Sequence, residues 1–177
     1  PAAAYDLGLL YLDGQQFPQD FAHAAALFKI AADAGNSEAQ YALATLYKEG
    51  RGVKQDVAQA AKLLADATRS DNLDAMVEYG IALYNGTGVA KNESAAAAVF
   101  LKAARRGSPI AQNRLALILA NGRGMAANPT EAMKWHLIRK AGGATEFWLD
   151  EVIQKPPKET AQTPDKAAKA SATIRNP

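Results

Sequence analysis

The chain has 177 residues, no cysteine, 49% hydrophobic residues and a formal net charge of +2. That content supports a real core, the lack of thiols excludes disulfides and thiolate metal sites, and no stretch approaches the roughly 20 apolar residues of a membrane span. A near-neutral balance without a basic stripe also argues against nucleic acid as a partner.

Gly14, Gly50, Gly86 and Gly122 recur every 36 residues, and the residues around them recur with them, so the chain is four copies of one unit (1–35, 36–71, 72–107 and 108–143). Each copy opens on a small residue (Ala3, Ala39, Ala75, Ala111) and continues with a bulky one (Leu7, Leu43, Tyr79, Leu115). A Gly or Ala follows (Gly8, Ala44, Gly80, Ala116), then Tyr11, Tyr47, Leu83 or Leu119. These spacings keep the side chains on one helical stripe, and the small residues let a second helix approach, which defines a helix A ending near its glycine. The loop after it reads Gly50-Arg51-Gly52-Val53, Gly86-Thr87-Gly88-Val89 and Gly122-Arg123-Gly124-Met125; the first copy, Gly14-Gln15-Gln16-Phe17, lacks the second glycine. Asp20, Asp56, Asn92 and Asn128 are N-caps for a helix B, with Pro129 at its favoured first position. Helix B carries Ala24, Ala60, Ala96 and Ala132 at close contacts, with Leu27, Leu63, Val99 and Trp135 beside Phe28, Leu64, Phe100 and His136 as its large core residues. Gly35, Gly107 and Gly143 end the unit, with Asp71 the exception, and Ser37 and Ser108-Pro109 restart the next helix A. Every local signal predicts an antiparallel helix pair stacked four times.

The run Ala39-Gln40-Tyr41-Ala42-Leu43-Ala44 to Tyr47, then Gly50-Arg51-Gly52-Val53, Asp56 and Ala60, resembles the Sel-one-like repeat family, relatives of the tetratricopeptide repeat with a longer glycine-bearing turn. The resemblance covers residues 1–143. It implies an all-α, right-handed α-solenoid, a superhelix of helix-turn-helix repeats of TPR type, and an adaptor or scaffold role, often in bacterial signalling or envelope processes. The periplasm is the location it favours, with the cytoplasm as the alternative. Because no cysteine is present, the disulfide-stapled branch of the family is excluded.

The ends of the chain depart from the repeat. Pro1-Ala2-Ala3 reads as the first turn of a helix A without an initiating methionine, so a leader or further repeats are expected before it, and the first copy is expected to be an open end able to self-associate. In the fourth copy Arg139 and Lys140 replace Ala31-Ala32 and Ala103-Ala104, as suits the polar outer face of a terminal repeat. Phe147-Trp148-Leu149-Asp150-Glu151-Val152-Ile153 predicts a capping helix over 144–154. Residues 155–177 are Pro-, Lys- and Ala-rich and read as a linker, with a short helix capped by Asp165 as one alternative. Five basic and two acidic residues in that tail leave the repeats at −1. The Arg105-Arg106 doublet, at a helix B end, reads as a solvated pair complementing the terminal carbonyls.

Chemistry is sparse. His23 aligns with exposed positions and His136 with the core positions Phe28 and Phe100, so the two share no metal or acid–base face. Thr45-Leu46-Tyr47-Lys48 only imitates a nucleophile motif, and the glycine pairs are followed by no Gly-Lys-Ser/Thr. No catalytic residue, metal or cofactor is expected, and the chain is read as a non-enzyme. Function is then a matter of surface. In tetratricopeptide-like arrays helix A lines the concave side, and the positions between its core stripes are Ala2, Tyr5, Leu9 and Leu12, then Glu38, Tyr41, Thr45 and Lys48, then Asp74, Val77, Ile81 and Tyr84, then Ile110, Asn113, Leu117 and Ala120. Many are apolar or tyrosine, which marks an interaction surface. Tyr5, Tyr41 and Tyr84 are its candidate anchors, and Lys48 and Asn113 its polar contacts, while Leu9, Ile81 and Leu117 read equally well as contacts between successive A helices. The expected function is a scaffold or adaptor that binds a partner peptide or helix on the concave face; the alternative is a cell-wall-associated factor binding a peptidoglycan-like glycan or peptide.

Overall fold

The computed structural model describes residues 1–141. They form eight α-helices and, among the described residues, no strand: α1 (Ala2–Asp13), α2 (Phe21–Asp33), α3 (Ser37–Glu49), α4 (Val57–Arg69), α5 (Leu73–Asn85), α6 (Glu93–Arg105), α7 (Pro109–Asn121) and α8 (Pro129–Ala141). Odd-numbered helices are the A helices and even-numbered ones the B helices. Each packs on the next in chain order, both within a copy and across the junction between copies, as in an all-α solenoid. The expected capping helix 144–154, the tail 155–177 and the Gly143 cap lie outside the described residues.

Helix B starts where its cap residue says it should. Asp20 Oδ1 accepts from the Ala22 and His23 amides, each at 2.9 Å, and Asp56 Oδ1 does the same for Ala58 and Gln59. Asn92 and Asn128 each accept one amide, from Ala95 and Glu131. The cap backbone closes the loop as well: the amides of Asp20, Asp56, Asn92 and Asn128 donate to the Tyr11, Tyr47, Leu83 and Leu119 carbonyls at 2.8–3.0 Å. Each cap is worth about 1 kcal/mol. At the return turn the cap of α3 is Asn36, not Ser37: the Asn36 side chain accepts from the Ala39 amide at 2.8 Å, as Asn72 does from Ala75 and Ser108 from Ala111, and Ser37 is the first helical residue. Gly35, Asp71 and Gly107 all sit in the left-handed region, so Asp71 adopts a backbone that glycine takes more easily (φ 62°). Its carboxylate pairs with Lys102 and Arg106 at 2.7 and 3.1 Å, which engages half of the arginine doublet.

The seams are lined by alanine. Ala24, Ala60, Ala96 and Ala132 are buried, and so are Ala39, Ala75 and Ala111. Ala3 and Leu7, expected in the core, are exposed (Leu7 38%), while Leu43 and Leu115 at Leu7's register position are buried. The reason is stacking: α3, α5 and α7 each pack on the B helix before them, and α1 has no such neighbour among the described residues. Arg139, expected on a polar outer face, is buried instead, because it occupies the register position of Ala31, Ala67 and Ala103, which the repeat buries. Lys140 is exposed as expected.

Within each pair, helix A and helix B match sizes. Gly8 faces Phe28 and Gly80 faces Phe100: an added Cβ would come within 2.6 and 2.7 Å of the ring carbons. In the other copies the pairs are Ala44 with Leu64 and Ala116 with His136. Between copies the second loop glycine sets the spacing. A Cβ on Gly52, Gly88 or Gly124 would overlap the carbonyl of Phe21, Val57 or Glu93, the opening turn of the preceding B helix. Arg51 in one such loop also lies over the Phe21 ring, 4.1 Å from its centroid. The first copy carries Gln16 there, and its loop has no preceding B helix among the described residues to approach.

Candidate functional site

The stripe positions marked out as a partner surface do not share one environment. Val77 is 6% exposed and belongs to the core beside Met76, so it is not a surface residue; a short β-branched side chain at this position sinks where tyrosine extends past the seam. Tyr5, Leu12, Tyr41, Thr45, Ile81, Tyr84, Asn113 and Leu117 are half-buried, and Leu9 and Lys48 are exposed. Of the remaining stripe positions, Ile110 is 57% exposed and Ala120 is buried.

The tyrosines sit in different surroundings. Tyr5 packs at 5.7 Å on Phe28, with the rings tilted by 41°. Burial pushes its hydroxyl pKa up, and Glu38 and Asp6 push it further. Burial does the same to Tyr41, reinforced chiefly by Glu78 and Asp74. Thr45 turns its hydroxyl back to donate to the Tyr41 carbonyl at 3.1 Å, so that donor is spent within α3. Lys48, expected to hold a peptide, is engaged by Glu78 of the next A helix at 2.7 Å, and this hydrogen bond raises the lysine's pKa. Tyr84 accepts from Arg123 Nη1 at 3.4 Å. Carboxylates thus surround Tyr5 and Tyr41, whereas a guanidinium attends Tyr84.

Two hollows open on this face. One, of about 110 Å³, lies between α5 and α7 and is lined by Ile81, Tyr84, Asn85, Arg114, Leu117 and Ile118 over the Phe100 ring. The other, of about 190 Å³, lies between the second copy and α5, with Lys48, Glu78, Ile81 and Asn85 near its mouth and Ala60, Ala61 and Leu64 inside. Ile81, Tyr84 and Leu117 line the first hollow together, and Lys48 and Ile81 the second. Glu78, Arg114 and Asn85 were missed. They stand one residue beyond the chosen stripes, and an apolar stripe that spans three or four residues per two turns already includes such neighbours.

His136 is buried in its expected core position, and His23 is exposed, bonded to Asp20 at 2.8 Å and stacked on Tyr11. Among the described residues no group of three or more His, Asp or Glu could hold a metal ion, and no helix is long and apolar enough to cross a membrane.

With the geometry in place, the Sel1 repeat model matches residues 1–36, 37–72, 73–108 and 109–138. The chain belongs to the Sel1 repeat family. Proteins of this family are generally non-catalytic scaffolds for protein–protein interaction. The chain is 32% identical, with a TM-score of 0.78 over 80% of its length, to c5321, a protective antigen of uropathogenic Escherichia coli strains with an SLR fold. It is 24% identical to a Sel1 repeat protein of Oxalobacter formigenes, with a TM-score of 0.76 over 81% of this chain, a likeness of fold. Cysteine-rich protein B of Helicobacter pylori is 28% identical, with a TM-score of 0.54, over 62% of this chain and 84% of that one. This Sel1 repeat chain spans 30% of c5321 and 59% of the Oxalobacter protein. No curated protein sequence matches it.

Proposed function

We propose that this Sel1 repeat array is an adaptor that binds a peptide or helix of a partner protein on its concave A-helix face, in an envelope process. The observation that carries this is the hollow of about 110 Å³ framed by Ile81, Tyr84 and Leu117, an apolar recess with a polar rim on the face where successive A helices meet. Tyr5 and Tyr41 extend the same face as rigid rings with polar tips. A periplasmic location is part of the proposal, consistent with the description of c5321 as a protective antigen; fractionation of cells producing the full protein checks it.

Crosslinking and mass spectrometry of the native complex identify the partner, and calorimetry then tests the surface. The double variant Tyr41→Ala/Tyr84→Ala weakens binding, with each aromatic anchor worth about 2 kcal/mol or more. Leu43→Ala, in the core, lowers stability by about 2–5 kcal/mol and affects binding only through unfolding. Unchanged affinity in the double tyrosine variant moves the site to the convex face or the loop edge.

A further inference from the structure

The two hollows differ in charge. At the larger one Lys48 and Glu78 close on each other at 2.7 Å, so its cation is already matched. At the smaller one the single charged lining residue is Arg114, which is exposed and makes no ion pair with another described residue. Below it Phe100 and Ile118 form a buried floor, and Ile81 and Leu117 form the walls. Tyr84 closes one end, its hydroxyl held by Arg123.

We propose that this hollow is a subsite for an acidic–aliphatic segment of a protein partner, with one branched aliphatic side chain between Ile81 and Leu117 and a neighbouring carboxylate on Arg114. The inference rests on the A-helix face being the partner surface. Size selects the side chain: the space of about 110 Å³ is smaller than the cavity of about 150 Å³ that admits benzene, so it suits leucine, isoleucine or valine better than a ring. Charge selects its neighbour, because a guanidinium presents a planar fork that a carboxylate accepts in two parallel hydrogen bonds. The rest of the face fixes the direction. Asp6, Glu38, Asp74 and Glu78 lie around Tyr5 and Tyr41, so an acidic residue is repelled there and admitted at the α7 end.

Fluorescence polarisation with three labelled synthetic peptides tests this; they share a central leucine and differ only in glutamate, glutamine or lysine on its flanks. At low salt the glutamate peptide binds the intact chain about tenfold more tightly than the lysine peptide, and Arg114→Glu reverses the order while leaving the circular dichroism unchanged. Leu117→Trp fills the hollow and weakens the glutamate peptide by about tenfold or more. Equal binding of the glutamate and lysine peptides, the original order retained in Arg114→Glu, or no binding by any of the three overturns the subsite. Amide-shift mapping separates the two levels of the argument. Shifts around Tyr41 and Tyr84 without a flank preference leave the A-helix surface standing and remove the subsite, whereas shifts confined to α2, α4 and α6 remove both.

Discussion

Replacing Gly80 by alanine sets two known effects against each other. Alanine is the better helix former by about 1 kcal/mol. The new Cβ would stand 2.7, 2.9 and 3.0 Å from three carbons of the Phe100 ring, against an optimum of about 3.5–4.0 Å for carbon pairs. Phe100 is fully buried, so the ring can move only by pushing on its neighbours. Such overpacking costs about 1–3 kcal/mol, and net of the helix gain Gly80→Ala lowers stability by about 1 kcal/mol. Phe100→Leu alone also destabilises, because it leaves a void under Gly80. The double variant recreates the Ala44 and Leu64 pair that the second copy already uses, so overlap and void relieve each other. Its loss should be smaller than the sum of the single losses by about 1 kcal/mol or more, within the usual range for contacting residues. Urea denaturation followed by circular dichroism on all four proteins gives the cycle. Losses that add to within about 0.5 kcal/mol would refute the size-matching argument.

The loop glycines give a second contrast: Gly88→Ala must move the opening turn of α4, while Gly107→Ala meets nothing within 4 Å and bears only the strain of φ +89°. Denaturation should show Gly107→Ala costing about 1–2 kcal/mol and Gly88→Ala distinctly more; equal losses would mean that the second glycine does not set the spacing between copies. Stability should also fall at both pH extremes. Backbone and ring hydrogen bonds from His23 lower the pKa of Asp20, Lys102 lowers that of Asp71, and Lys91 that of Glu93, so their contributions are full above the ordinary carboxylate range of about 4 and are lost as pH falls through the depressed values. Lys48, raised by Glu78, contributes below the ordinary lysine value of about 10.4 and ceases to as pH rises through its higher folded value. Burial raises the Tyr5 and Tyr41 hydroxyls in the same direction, so Glu78→Gln should shrink the alkaline limb without abolishing it, as thermal midpoints of the native protein and the variant across pH would show.

The fold was legible because each 36-residue copy states its elements four times. A glycine every period, an Asx cap six residues after it and alanine at fixed offsets leave little choice of helix or boundary. Asn36 was misread because Asn36 and Ser37 are both good caps; aligning Asn36, Asn72 and Ser108 decides between them. The second loop glycine signals only its backbone shape. A left-handed φ already accounts for glycine, so nothing in the sequence signals that the Val57 carbonyl also lies against Gly88. Val77 was misplaced for a related reason, since register assigns a face to a position and side-chain length decides whether the residue reaches it. Pairing was illegible in the same way. Lys48 and Glu78 are 30 residues apart and meet only because two A helices lie side by side.

The repeat thereby sorts its positions into two kinds. Ala39, Ala75 and Ala111 do not vary, because each is pressed into a seam where an added methylene would force two helices apart. The register position of Asp6, Ala42, Glu78 and Arg114 varies in size and sign, although it belongs to the same helices and lies only three residues further on. Stacking does not constrain it, so its chemistry is free to differ from copy to copy. A partner lying along the A helices would therefore meet a sequence of charges written across the copies: acidic beside Tyr5, matched where Lys48 meets Glu78, and basic at Arg114. Such an array can exchange partners by altering a few exposed positions while the alanine seams and glycine turns keep every helix in place.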